Sequence, residues 1–467
     1  MPGQLHRMEL TELAGLLRRR EVSAVEVTRA LLERIDRLDH DLASFACVTA
    51  EHALVAASAA DAEIAAGFYR GSLHGVPLGI KDLLWTKGVP TAAGMAIHRD
   101  FIPTEDATVV ARLKQAGAIL LGKLQMTEGA YSDHHPSIRP PANPWHAHYW
   151  TGISSSGAAV ATAAGFCFGA VGSDTGGSIR WPCSATGLTG IKPTWGRVSR
   201  FGVFELAASL DHIGPIARSV ADAAMILAAI AGPDDKDPTT LPESPADYSA
   251  MLDRSIRTLR IGIDAAWNRT DVEPSVQRVV ADAEATFRAL GANTVHVSVP
   301  DVAQAIADWS PACALEAAVA HRMTYPARKS EYGAVLAAVL DTGHSVSALD
   351  YQALRLRRMD LSGRFSHLFH KIDVLLMPVQ PFGPLTLDAI HRLGSQPDLI
   401  AKLQRYTAPF DMTGHPTVTL PGGFSDDGMP IGFQLAGRDE GILIQAAAAF
   451  QHETNWHRRH PSRATVQ

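Results

Sequence analysis

The sequence predicts an α/β protein: one large domain, residues 1–467, built on a mixed and mostly central β-sheet with helices on both faces. Two observations carry that expectation. Helical stretches alternate with short buried apolar runs separated by glycine turns, the pattern of an α/β layer architecture. Strand-like runs recur from the first third of the chain into its tail, so one sheet is threaded by the whole chain with no low-complexity linker. Hydrophobic residues make up 46% of the chain and charged residues 19%, which supplies ample apolar surface for one core.

The elements follow in order. The first part is helical: "SAVE" at Ser23–Glu26 fits a capping box, and Val27, Leu31, Ile35 and Leu38 then mark one helical face. "GVPLGIKDLLW", from Gly75, reads as a short buried strand ending near Lys81. "EDATVVARLKQAGAILLGK" reads as helix, glycine turn and buried strand. A serine- and glycine-rich region extends from Thr151 to about Gly214. Beyond a Pro/Asp-rich stretch come the strand "LRIGID", a helix over 274–290 and the strand "TVHVSV". A mostly helical section spans 302–371, before the strand "DVLLMP" and a last helix over 440–453.

Composition narrows the function classes. The formal net charge is -6 with no dense Lys/Arg block, which argues against nucleic acid as a ligand. The uncharged run 151–173 has about the length of a membrane span. It is weighted to Gly, Ser, Thr and Ala, so it reads as the buried centre of a soluble protein. The N-terminal stretch has charges scattered among its apolar residues and lacks a secretory core. The four cysteines show no CxxC spacing, and a reducing cytoplasm is the expected home.

Familiar catalytic motifs are missing. The loop 172–178 lacks the lysine of a phosphate-binding loop, and no GxSxG elbow occurs. "HETNWH" is one residue too long for a zinc-protease helix, and His367 and His370 have no third ligand nearby. No cofactor and no metal is expected. Serine chemistry without histidine remains. A hydroxyl is a weak nucleophile unless a neighbour takes its proton, and a buried, neutral lysine can do so. Lys81 lies within "PLGIKDLLW", yet a lysine at a strand end can equally keep its head in water. Read alone, "SSS" at Ser154–Ser156 is equally a helix cap, and "TGGS" equally a turn.

Taken together, these segments carry a resemblance. "GISSSGAAVATAAGFCFGAVGSDTGGSIRWPCSATGLTGIKPTWGRVSRFG" resembles the amidase signature family, as do "LHGVPLGIKDLLWTKGVPTAAG", "SLDHIGPIARSVADAA" and "YTAPFDMTGHPTVTLPGGF". The likeness covers most of the chain, with its core over about 75–215, and is weakest from about 230 to 371. It implies the amidase signature fold and a Ser-cisSer-Lys triad. In that triad Ser178 is the nucleophile, Ser154 the bridging serine on a cis peptide 24 residues earlier, and Lys81 the base. The backbone N–H groups of Thr175, Gly176, Gly177 and Ser178 would then form an oxyanion hole. Two positions depart from the family pattern. Ile153 stands where the family commonly has glycine, and Gly157-Ala158 follow the serines where it often has another serine.

Met126, Tyr131 and Arg180 are candidate substrate contacts; Arg180 could instead brace the loop against Asp174 or another acid. The expected activity is hydrolysis of a small, aryl or otherwise apolar amide through an acyl-enzyme, with carbamates open to the same chemistry. Two alternatives stand beside it: the glutaminase (A) subunit of a tRNA-dependent amidotransferase, and an inactive binding homologue. Specificity is expected to reside in the helical section 302–371. Partners are a small-molecule substrate, no membrane and no nucleic acid, with a homodimer open.

Overall fold

The computed structural model describes residues 2–462. Eleven strands form one sheet: β1 (Phe45–Val48), β2 (Pro77–Lys81), β3 (Ile119–Leu124), β4 (Gly169–Asp174), β5 (Thr189–Lys192), β6 (His212–Ala217), β7 (Arg260–Ile263), β8 (Asn293–His296), β9 (Val374–Pro378), β10 (Thr417–Phe424) and β11 (Pro430–Gly437). Their order is β1-β3-β2-β4-β6-β5-β10-β11-β9-β7-β8. Pairing is parallel where helices cross over, as in β3–β2–β4 and β9–β7–β8, and antiparallel through the middle. The expected mixed, central sheet flanked by helices is therefore present.

Burial explains why these segments are strands. Every residue of β2, β4, β5, β6, β9 and β11 is buried, so both faces of the central sheet are covered and the sequence there lacks polar alternation. The edge strands β1 and β8 alternate or stay half-exposed. Close strand approach demands glycine in places: a Cβ on Gly214 of β6 would lie 2.1 Å from the Ile191 carbonyl oxygen. The helix Ala24–Leu42 begins with the capping box read from "SAVE", Ser23 accepting from the Glu26 N–H and Glu26 reaching back. The helix Thr108–Gln115, its glycine turn and β3 follow as read.

The uncharged run 151–173 is the centre of the protein. Apart from half-buried Ile153 it is wholly buried, as the helix Ser156–Ala163 followed by β4. None of the described helices is long and apolar enough to cross a membrane. The section 302–371 is three helices, Ala303–Ala320, Ala334–Ser345 and Ala348–Lys371. A second, small apolar cluster stands apart from the main core. Trp150 and Trp181 meet Val379, Leu393 and Leu403 there, with Ile153 packed against them.

Candidate active site

The site forms where β2 and β4 end side by side. Their parallel register, Gly79 with Ala170 and Ile80 with Val171, brings Lys81 next to Ser173. The helix Ser156–Ala163 packs above, and the serines at its start point at the same amine. Lys81 is wholly buried, and its Nζ lies 2.7 Å from Ser154 Oγ, 2.9 Å from Ser155 Oγ and 2.9 Å from Ser173 Oγ. Among the described residues no carboxylate pairs with it. Burial drives its pKa down from 10.5 to about 7, and the more distant charges of Asp174 and Asp211 recover only part of the loss. The lysine thus carries a populated neutral amine near neutral pH.

The Ile153–Ser154 peptide bond is cis. Isoleucine is accommodated in this position: the Ile153 side chain packs into the small cluster around Trp150 and Trp181. Gly157 has a steric cause as well. A Cβ there would lie 2.4 Å from Ser44 O and 2.5 Å from both Gln125 N and Gln125 O.

Ser178 lies in the turn between β4 and the helix Arg180–Thr186 and is 7% exposed, the least covered of the site serines. Its carbonyl accepts from the Ser155 N–H at 3.3 Å, which ties the turn to the serine run. Its hydroxyl hydrogen-bonds to no group among the described residues. Of the four backbone N–H groups expected to converge, those of Thr175, Gly176 and Ser178 donate to no acceptor among the described residues. Gly177 differs: its N–H donates to Asp174 Oδ1 at 2.7 Å and is turned inward. Gly177 adopts a φ of 137°, and a Cβ on it would lie 2.6 Å from the Trp181 ring.

Asp174 organises this turn. It also accepts from the Ile179 N–H at 2.9 Å and from the Arg180 guanidinium at 3.0 and 2.7 Å. Burial alone would raise its carboxyl, but the facing Arg180 charge overrides that and holds it far below the usual carboxylate range. Asp211, not singled out from the sequence, accepts from the Thr175 hydroxyl at 2.7 Å and from the backbone of Leu206 and Ala207.

Two substrate-contact expectations need correction. The Arg180 side chain is wholly buried, and besides Asp174 its guanidinium binds Asp411 at 2.5 Å and the Thr407 carbonyl at 2.9 Å. It is a brace, sealed away from any substrate carboxylate. Met126 is wholly enclosed in the main core and offers no surface to a ligand. Tyr131, half-buried, stacks on Trp309 at 6.4 Å between centroids and 16° between planes. Trp309 in turn lies on the turn: a Cβ on Gly176 would meet its ring at 2.5 Å. No local signal in the sequence marked Trp309, whereas Asp211 and Asp411 stand in the quoted "SLDHIGP" and "PFDMTG".

The amidase family model matches residues 26–441, most of the chain and all of this site. The chain belongs to the amidase family. The protein named AmiD in Mycobacterium tuberculosis, there a putative amidase by name, is 50% identical over 460 residues, covering 98% of this chain and 96% of that protein. The glutaminase-type relative in Moorella thermoacetica, the A subunit of its glutamyl-tRNA(Gln) amidotransferase, is 38% identical over 488 residues, covering 98% and 99%. The crystal structure of a bacterial aryl acylamidase of the amidase signature family superimposes with a TM-score of 0.87 at 25% identity, covering 97% and 98%. The fold is that of the amidase signature enzymes, and this amidase is an amide-hydrolysing enzyme.

Proposed function

We propose that this amidase cleaves small amides with aryl or otherwise apolar substituents, with Ser178 as nucleophile, Ser154 as relay and Lys81 as base. One observation carries the reading: a wholly buried lysine that contacts three hydroxyls and no carboxylate. The hydroxyls differ in what they can give. Ser155 donates its own proton to the Ser173 carbonyl at 3.1 Å and can only accept from Lys81. The Ser154 hydroxyl has no other partner among the described residues, so its proton is available to the lone pair of the neutral amine.

The steps follow from that arrangement. Lys81 draws the Ser154 proton, Ser154 takes the Ser178 proton, and Ser178 Oγ bonds to the carbonyl carbon. The N–H groups of Thr175, Gly176 and Ser178 stabilise the resulting oxyanion. The C–N bond then breaks, and the departing amine leaves with the proton returned from Lys81 through Ser154. Water repeats the addition on the ester, releasing the acid and restoring Ser178. A urethane carbonyl can follow the same course. The aromatic flanks of the turn, Trp309 over Gly176 and Trp181 over Gly177, support apolar or aryl groups, and the aryl acylamidase fold likeness points the same way.

Replacing Ser178 with Ala tests the mechanism. Hydrolysis of an anilide should fall by at least about 10³-fold; unchanged turnover would leave a binding homologue. The 38% identity to an amidotransferase component keeps glutaminase as the second reading. Turnover of the anilide by the purified chain alone favours the first. Ammonia release from glutamine only with partner subunits present favours the second.

A further inference from the structure

A planar trans peptide points its C=O and N–H in opposite directions, so each outward N–H of the turn is aimed by whatever holds the preceding carbonyl. The Gly177 carbonyl accepts from the Trp181 N–H at 2.8 Å, which orients the Ser178 N–H from within the turn and its own helix. The Asp174 carbonyl faces His212 Nδ1 at 3.3 Å, behind the Thr175 N–H. The Thr175 carbonyl, which shares its peptide plane with the Gly176 N–H, is held by the indole Nε1–H of Trp309 at 2.8 Å. Trp309 belongs to the helix Ala303–Ala320, in the section where resemblance to the family is weakest. Its ring presses on Gly176, and Tyr131 stacks against it, which restricts its rotation.

We infer that Trp309 is a positioning residue that aims the Gly176 N–H at the oxyanion by holding the opposite end of the same peptide plane. The helical section 302–371 is thereby coupled to turnover through one indole hydrogen bond. Trp309 acts through Gly176 and touches no reacting atom. Released from the indole, the Thr175–Gly176 peptide can rotate, and one of the three oxyanion donors is lost from alignment. The inference rests on the reading of Ser178 as nucleophile.

The test removes the N–H and keeps the ring. Trp309 is replaced by β-(3-benzothienyl)alanine, which has the indole shape with sulfur in place of N–H, and in parallel by Phe. The readouts are kcat and KM on an anilide, and the affinity of an arylboronic acid whose tetrahedral serine adduct places an oxygen at the oxyanion position. Fluorophosphonate titration normalises to folded sites. The expected result is a fall in kcat of about 10- to 100-fold, a parallel loss of boronate affinity, and KM within about threefold. Parental kcat and boronate affinity in the benzothienyl variant, with Ser178→Ala inactive, would overturn the role of Trp309 alone. Retained activity in Ser178→Ala would instead overturn the acyl-enzyme reading beneath it. Should Trp309→Phe fail to fold, the isosteric variant still decides.

Discussion

An ammonium at position 81 would find three hydroxyl acceptors; a neutral amine there needs one of those hydroxyls to turn around and donate. Ser155 cannot turn, because its proton is committed to the Ser173 carbonyl. Ser154 can, and the protonation state of Lys81 therefore decides which way the Ser154 proton points. With the Lys81 pKa lowered to about 7, turnover should fall as pH drops through that value, because the amine becomes charged and can no longer accept a proton. The log of kcat/KM against pH should approach a slope of about one on the acid side. A flat profile through this region would remove Lys81 as the base. The local sequence left open whether this lysine is buried or has its head in water. That choice depends on serines 73 or more residues away in the chain, and a window around "GIKD" does not contain them.

The start of the helix Ser156–Ala163 presents the serines, and its seat is Gly157. Backbone atoms of Ser44 and Gln125 surround the place where a Cβ would stand, and backbone cannot rotate aside as a long side chain can. Gly157→Ala should therefore destabilise the protein by about 1–3 kcal/mol, read as a lower midpoint in chemical denaturation. It should also lower kcat, since the serines move with the helix. An unchanged midpoint would show that this contact relaxes freely. At this level much was legible. The capping box, the helix–turn–strand at 108–124 and the strand ending at Lys81 rest on local periodicity and glycine punctuation. β1 was not, because "FACV" is a four-residue edge strand whose pairing with β3 its own composition does not announce. The helices Leu387–Gly394 and Pro397–Gln404, which contribute to the small apolar cluster, also lay outside the reading.

Across the molecule, three lysines are buried in the one sheet: Lys81, Lys123 and Lys192. Desolvation lowers all three, Lys81 and Lys192 to about 7 and Lys123 to about 8, with Asp82 recovering part of the loss for Lys123. Unfolding restores each to its ordinary value of 10.5, so above these folded values the unfolded chain binds more protons than the native one. Stability contributed by these groups is full above the unfolded value and is lost as pH falls through the folded ones. Denaturation free energy should consequently rise from pH about 7 to about 9, by at most about 1.4 kcal/mol per pH unit for each lysine. Lys192→Met should flatten that rise. A stability that is level or falls over this range in the parent protein would contradict the burial of charge described for the sheet.

Chemistry-bearing residue types and the order of elements were local facts. Short buried runs, glycine turns and a GGS segment beside a serine run are written in neighbouring residues, and they were enough for the fold class and for the choice of Lys81, Ser154 and Ser178. Which backbone donors face outward and what holds them was decided in three dimensions, as were the commitment of Arg180 to Asp174 and Asp411 and the place of Trp309 on the turn. Those outcomes are set by partners distant along the chain. Hydrogen-bond direction, desolvation and steric room depend on every atom within a few ångströms, and sequence proximity specifies only a fraction of them.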